Sequence, residues 1–104
     1  MNPTPSSVYI AGPMTGLPEF NFPAFHAAAA RIAAAGKIPV SPASLYPHTD
    51  QSWTFYMRGA ITALCSCESI FLLNGWENSL GARTEFALAR KLGMTIYLEH
   101  KDFK

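Results

Sequence analysis

Seven side chains supply all of the carboxylate chemistry this sequence can do: Glu19, Asp50, Glu68, Glu77, Glu85, Glu99 and Asp102. Glu85 stands apart because of what precedes it. Ser79-Leu80-Gly81-Ala82-Arg83-Thr84-Glu85 reads as a helix start with Ser79 at the capping position. Glu85 falls about a turn and a half past that cap, and helical side chains lean toward the amino end. Its carboxylate is therefore aimed back at the start of the helix. Gly81, four residues earlier, lies on the same face. A glycine inside a helix costs ~1 kcal/mol relative to alanine; here it leaves open space above the carboxylate, where a sugar can sit. Ser79 and the first-turn N–H groups face the same space and suit an anion such as phosphate. A carboxylate so placed can act as a nucleophile or move a proton. The same residues equally fit an exposed helical glutamate beside a glycine packed on the first strand.

Tyr9 is the second chemical candidate. It lies two residues before the end of a short apolar run, Val8-Tyr9-Ile10-Ala11, from which its hydroxyl can reach Glu85. A core tyrosine that uses only its ring is the competing reading. Next comes Gly12-Pro13-Met14-Thr15-Gly16, a loop whose N–H groups can wrap a phosphate or sugar, or which is simply a turn. It lacks the Lys-Ser/Thr ending of a P-loop and the spacing of a dinucleotide fingerprint. A second loop, Asn74-Gly75-Trp76-Glu77-Asn78, offers Asn74 and Trp76; Trp76 and Phe20 can stack on a base or merely pack. His26 and His48 have no partner at ligand spacing, so no metal is expected. Cys65 and Cys67 are too close to staple the fold, have no zinc spacing, and read as two partly buried thiols. No cofactor is implied.

These residues need elements to hold them. Val8–Ala11 reads as a buried strand after a loose polar leader, residues 1–6. Phe25, Ala28, Ala29, Ile32 and Ala35 recur at helical spacing between a cap at Asn21 and a stop at Gly36. Ile38-Pro39-Val40 is a weak strand suited to a sheet edge. Trp53, Tyr56, Met57, Ala60, Ile61 and Leu64 share one face of a second helix. Ser69–Leu73 is apolar on both faces, as a central strand is, and Met94–Leu98 closes the series after the helix of Glu85. Strands alternating with helices predict an α/β, flavodoxin-like or Rossmann-like three-layer sandwich, with a four-stranded parallel sheet in the order 2-1-3-4. Ligands in such folds bind at the carboxyl ends of the strands, beside the switch in strand order. That places Glu19, Asp50, Glu77 and Glu85 at the ligand edge, Glu68 at the opposite end, and Glu99 and Asp102 in a charged tail.

The bulk numbers narrow the partners. One domain fits 104 residues, and 49% hydrophobic residues suffice for a core. A net charge of +1 without a basic stripe argues against polymeric nucleic acid. No apolar run reaches the ~18 residues of a membrane span, and no secretion signal is visible, so a cytoplasmic setting is expected. Only 14% of residues are charged, which points to a homo-oligomer, because the cores of subunit interfaces are depleted in charge.

Tyr9-Ile10-Ala11-Gly12-Pro13, the run from Asn74 to Glu85, and Ala87-Leu88-Ala89 with Gly93-Met94 together resemble the nucleoside 2-deoxyribosyltransferase superfamily. The resemblance spans about residues 8 to 98 and is nearest to a branch of short members frequent in phages and prophages. It implies a glutamate nucleophile at Glu85, a tyrosine at Tyr9 that orients it, and N-glycosidic cleavage or deoxyribosyl transfer on nucleosides or nucleoside 5'-monophosphates. In the transferases an aspartate usually stands at the place of Ser79. In the related 2'-deoxynucleoside 5'-monophosphate N-hydrolases that residue is a serine near the phosphate, so Ser79 leans toward nucleotides. One position departs: the aspartate that the family carries in the helix before the central strand aligns with Ala60. That departure supports a second reading, a catalytically impaired nucleotide-binding module; a third reading is a phage accessory or interaction protein. Asp50, in the preceding loop, is a candidate to substitute for the missing aspartate.

Overall fold

Four parallel strands and three long helices form the computed structural model, which describes residues 2–45 and 52–103. His48 and Asp50 lie outside the described residues. The sheet order is β2-β1-β3-β4, as the alternating pattern predicts, with β1 over Thr4–Ala11, β2 over Ile38–Val40, β3 over Cys67–Leu72 and β4 over Thr95–Leu98. The long helices are α1 (Phe22–Ala34), α3 (Trp53–Cys65) and α4 (Leu80–Lys91), and a single turn, α2 (Pro42–Leu45), follows β2.

Alternation along β1 and β3 sorts the core into two layers. Tyr9, Ala11, Ile70 and Leu72 face α3 and α4, where Ala60, Leu64, Ala82 and Ala89 meet them. Val8, Ile10, Phe71 and Leu73 face α1 through Phe25, Ala28 and Ile32. Phe103 extends this second layer beyond α1, with its ring 5.8 Å from Phe71 and 4.7 Å from Tyr97.

Several local expectations need correction. The segment expected as a loose leader is partly strand: β1 begins at Thr4, whose N–H donates to the Ser66 carbonyl at 3.0 Å. Between Thr4 and Val8 the strand spans four positions against two on β3, and Ser6 takes a left-handed φ of 62°. The bulge is satisfied by side chains: Ser6 N–H donates to Glu68 Oε1 at 2.8 Å, and Glu68 N–H donates to Ser7 Oγ at 3.0 Å.

Glu99 and Asp102 are built in rather than trailing. Glu99 accepts from the Asn74 N–H at 2.8 Å and pairs with Arg31 at 2.9 Å, tying the end of β4 to the turn after β3 and to α1. Asp102 accepts from the Leu98 N–H at 2.8 Å. Of the two thiols, Cys65 is exposed and Cys67 buried. No helix among the described residues is long and apolar enough to cross a membrane.

Candidate active site

The carboxyl ends of β1 and β2 open into a cleft of about 500 Å³. Its floor comes from the loop after β1, Gly12 to Thr15; on the α3–α4 side it is lined by Ser79 to Ala82 and Glu85 of α4 with Trp53, Tyr56 and Met57 of α3, and on the α1 side by Phe22 and Phe25. Each piece has a local cause.

Ser79 caps α4, its Oγ accepting from the Ala82 N–H at 3.1 Å. Ser79→Ala is expected to lower stability by about 1 kcal/mol, measured by denaturant titration. Gly12 must be glycine because the chain crosses the end of β3 there: a Cβ would stand 2.7 Å from Leu73 Cβ and Cδ1. Leu73 is fully buried and has nowhere to go. Gly12→Ala should therefore destabilise by about 1–3 kcal/mol, visible as a lower melting temperature.

Asn21 does not cap α1 through its side chain, as the sequence reading expected. It sits at φ 61°, last of three left-handed residues after Glu19 (52°) and Phe20 (53°), and its Nδ2 donates to the Pro13 carbonyl at 3.0 Å. Left-handed conformation costs roughly 1–2 kcal/mol per residue outside glycine, less for asparagine. The turn sets Phe20 at the cleft, and its ring lies 6.1 Å from that of Phe22.

Glu85 is the one carboxylate among the described residues that line the cleft. It is 5% exposed, reaches the cleft, and accepts a short hydrogen bond at Oε2 from the Tyr9 hydroxyl. Burial pushes its carboxyl up to about 7, while the Tyr9 hydrogen bond works in the opposite direction. Burial, then the charge of Glu85 and the hydrogen bond to it, hold the Tyr9 phenol well above its ordinary value. A half-ionised carboxyl with a fixed proton donor behind it and an open cleft before it can attack an electrophilic carbon or transfer a proton.

Of the residues singled out in the sequence, Gly12, Pro13, Met14, Thr15, Ser79, Gly81, Glu85 and Phe20 line this cleft, and Tyr9 lies behind Glu85. Gly16 does not line it. Asn74 and Trp76 are brought to a separate, smaller hollow of about 210 Å³ with Glu77 and His100, and the Trp76 ring stands 4.7 Å from Phe86. Gly81 serves a tighter purpose than open space, because a Cβ there would lie 3.2 Å from Met57 Sδ.

Trp53, Tyr56 and Met57 were legible only as an apolar helix face. The missed signal is positional: the first turn of α3, like that of α4, lies at the ligand edge. Ala60 is fully buried within the layer that includes Tyr9 and Ala82, away from the cleft lining. Among the described residues, no cluster of His, Cys, Asp or Glu can hold a metal ion.

A family model described as "Domain of unknown function (DUF4406)" matches residues 6–98. The chain belongs to this family. The DUF4406 chain has no match among curated proteins. Its fold is also that of a solved structure, a 2-desoxiribosyltransferase from Leishmania mexicana, at 20% identity and a TM-score of 0.69. The match covers 90% of the DUF4406 chain and 63% of the other, so this chain spans less than two thirds of that enzyme's length. The likeness shows a shared fold.

Proposed function

We propose that the protein cleaves or transfers the N-glycosidic bond of deoxynucleosides or their 5'-monophosphates, with Glu85 as nucleophile. The observation that carries the reading is the buried Glu85 carboxyl, held by Tyr9 and opening onto the cleft. In the first step a Glu85 oxygen bonds to C1' of the sugar and the base departs; in the second, water or another base displaces Glu85. The shared fold with a 2-desoxiribosyltransferase supports the substrate class.

The cleft suits a molecule with one flat apolar end and one polar end. Phe20, Phe22 and Phe25 supply apolar rings to its lining, and Ser79 with the first turn of α4 supplies polar groups. The 5' end of the substrate belongs at Ser79. Incubation with a panel of deoxynucleosides and their monophosphates, with free base followed by chromatography and the protein by intact mass, tests the reading. Release of base together with a deoxyribosyl adduct on Glu85 is expected; no release from any member of the panel sinks it.

A second reading, nucleotide binding without turnover, is favoured by one observation. Ala60 gives a buried methyl where the resembling family carries an aspartate. Tight binding by calorimetry combined with no base release over many hours would select it.

A further inference from the structure

Breaking a C1'–N bond leaves an electron pair on a ring nitrogen, and a neutral base departs only if that nitrogen is protonated. Glu85 is already committed to bonding C1' in the proposed first step. Among the described residues lining the cleft, Tyr56 is the one other side chain that titrates. It is half-buried on α3, one turn ahead of Ala60, and its hydroxyl donates to Met14 Sδ at 3.2 Å, over the loop after β1. It also acts electrostatically on Tyr9, whose hydroxyl holds Glu85.

We infer that the Tyr56 hydroxyl is the acid that protonates the departing base. The inference rests on the reading of Glu85 as nucleophile and adds the missing half of its chemistry. A phenol is protonated at neutral pH and enters the step uncharged. As a Glu85 oxygen bonds to C1', the C1'–N bond breaks, its electron pair stays on the base, and the Tyr56 proton passes to that nitrogen. The resulting phenolate then takes a proton from water as the water oxygen bonds to C1'. The bond to Glu85 breaks, its pair returns to the carboxylate, and both side chains are restored.

The test separates the acid from the nucleophile through the leaving group. A deoxynucleoside needs a proton to lose its base; a 2-deoxyribosyl nitrophenolate does not. Tyr56→Phe should slow first-turnover base release roughly 10²-fold or more, whereas its loss on first-turnover nitrophenolate release should shrink to a few-fold. Circular dichroism and melting temperature check that the variant folds.

An equal loss on both substrates would make Tyr56 a residue that only shapes the cleft and would overturn the inference. No loss on either, with Glu85→Gln inactive on both, would overturn it while sparing the Glu85 reading. Wild type releasing neither leaving group would overturn both together.

Discussion

Glu85→Gln is expected to abolish base release and at the same time to make the protein more stable above neutral pH. The amide keeps the acceptor for the Tyr9 hydroxyl but is a poor nucleophile, so turnover should fall by roughly four orders of magnitude or more. The stability gain follows from the raised carboxyl. Below the ordinary carboxylate value near 4.5, folded and unfolded chains both hold the proton, and the group contributes no penalty. As pH rises toward about 7, the unfolded chain releases that proton while the folded one keeps it, so stability falls. Above about 7 the full penalty is present, about 3 kcal/mol. Glutamine does not titrate. Its melting temperature should come closest to that of wild type near pH 4, exceed it by several degrees at pH 8, and show the gap opening between those values. Equal pH dependence in the two proteins would mean that Glu85 is not held as a buried acid.

Tyr9→Phe removes the partner instead of the carboxyl, and its signature differs. The hydroxyl is what opposes the upward push of burial on Glu85. Without it the carboxyl moves higher still, and the acidic limb of kcat/KM shifts to more alkaline pH. At pH 7 turnover should drop ~10²-fold, because fewer molecules carry the anion and those that do are no longer aimed. Raising the pH should recover part of that loss in Tyr9→Phe and none in Glu85→Gln. Leaving a buried carboxyl unpartnered should also cost about 1–3 kcal/mol in denaturant titration. A pH profile unchanged from wild type would show that Tyr9 only fills the core.

How far the sequence revealed this site depends on which physical signal each residue carried. Tyr9 and Glu85 were legible because both signals are directional. Alternation on β1 turns Tyr9 toward the layer of α4, and the lean of helical side chains brings Glu85 back toward the same edge. The strand order was legible because continuous apolar runs differ from periodic ones, and because crossovers have one hand.

Tyr56, Met57 and Trp53 were hidden for the opposite reason: an apolar helical face looks the same whether it covers a core or lines a cleft. The turn at Glu19, Phe20 and Asn21 was hidden because none of these residues is a glycine, and no local pattern announces a left-handed conformation there. Trp76 was ambiguous because a loop aromatic beside α4 fits stacking on a base as well as packing on Phe86. Glu99 and Asp102 looked like tail charges because their partners, Arg31, Asn74 and Leu98, are fixed only once the sheet is assembled.

The bulge at the start of β1 gives the sheet a place to absorb changes in length. Downstream of it, Val8 to Ala11 are paired rung by rung with Ser69 to Leu72, and that ladder fixes the height of the Tyr9 hydroxyl against Glu85. Upstream, between the Thr4–Cys67 and Val8–Ser69 pairs, the surplus residues loop out from β3 and are anchored by side chains of Ser7 and Glu68. A residue gained or lost ahead of Ser7 resizes the slack and leaves the rungs alone. The same change between Val8 and Ala11 would turn Tyr9 to the α1 side of the sheet. Tolerance to insertion and deletion therefore changes abruptly within a single strand, and the boundary lies two residues before the tyrosine.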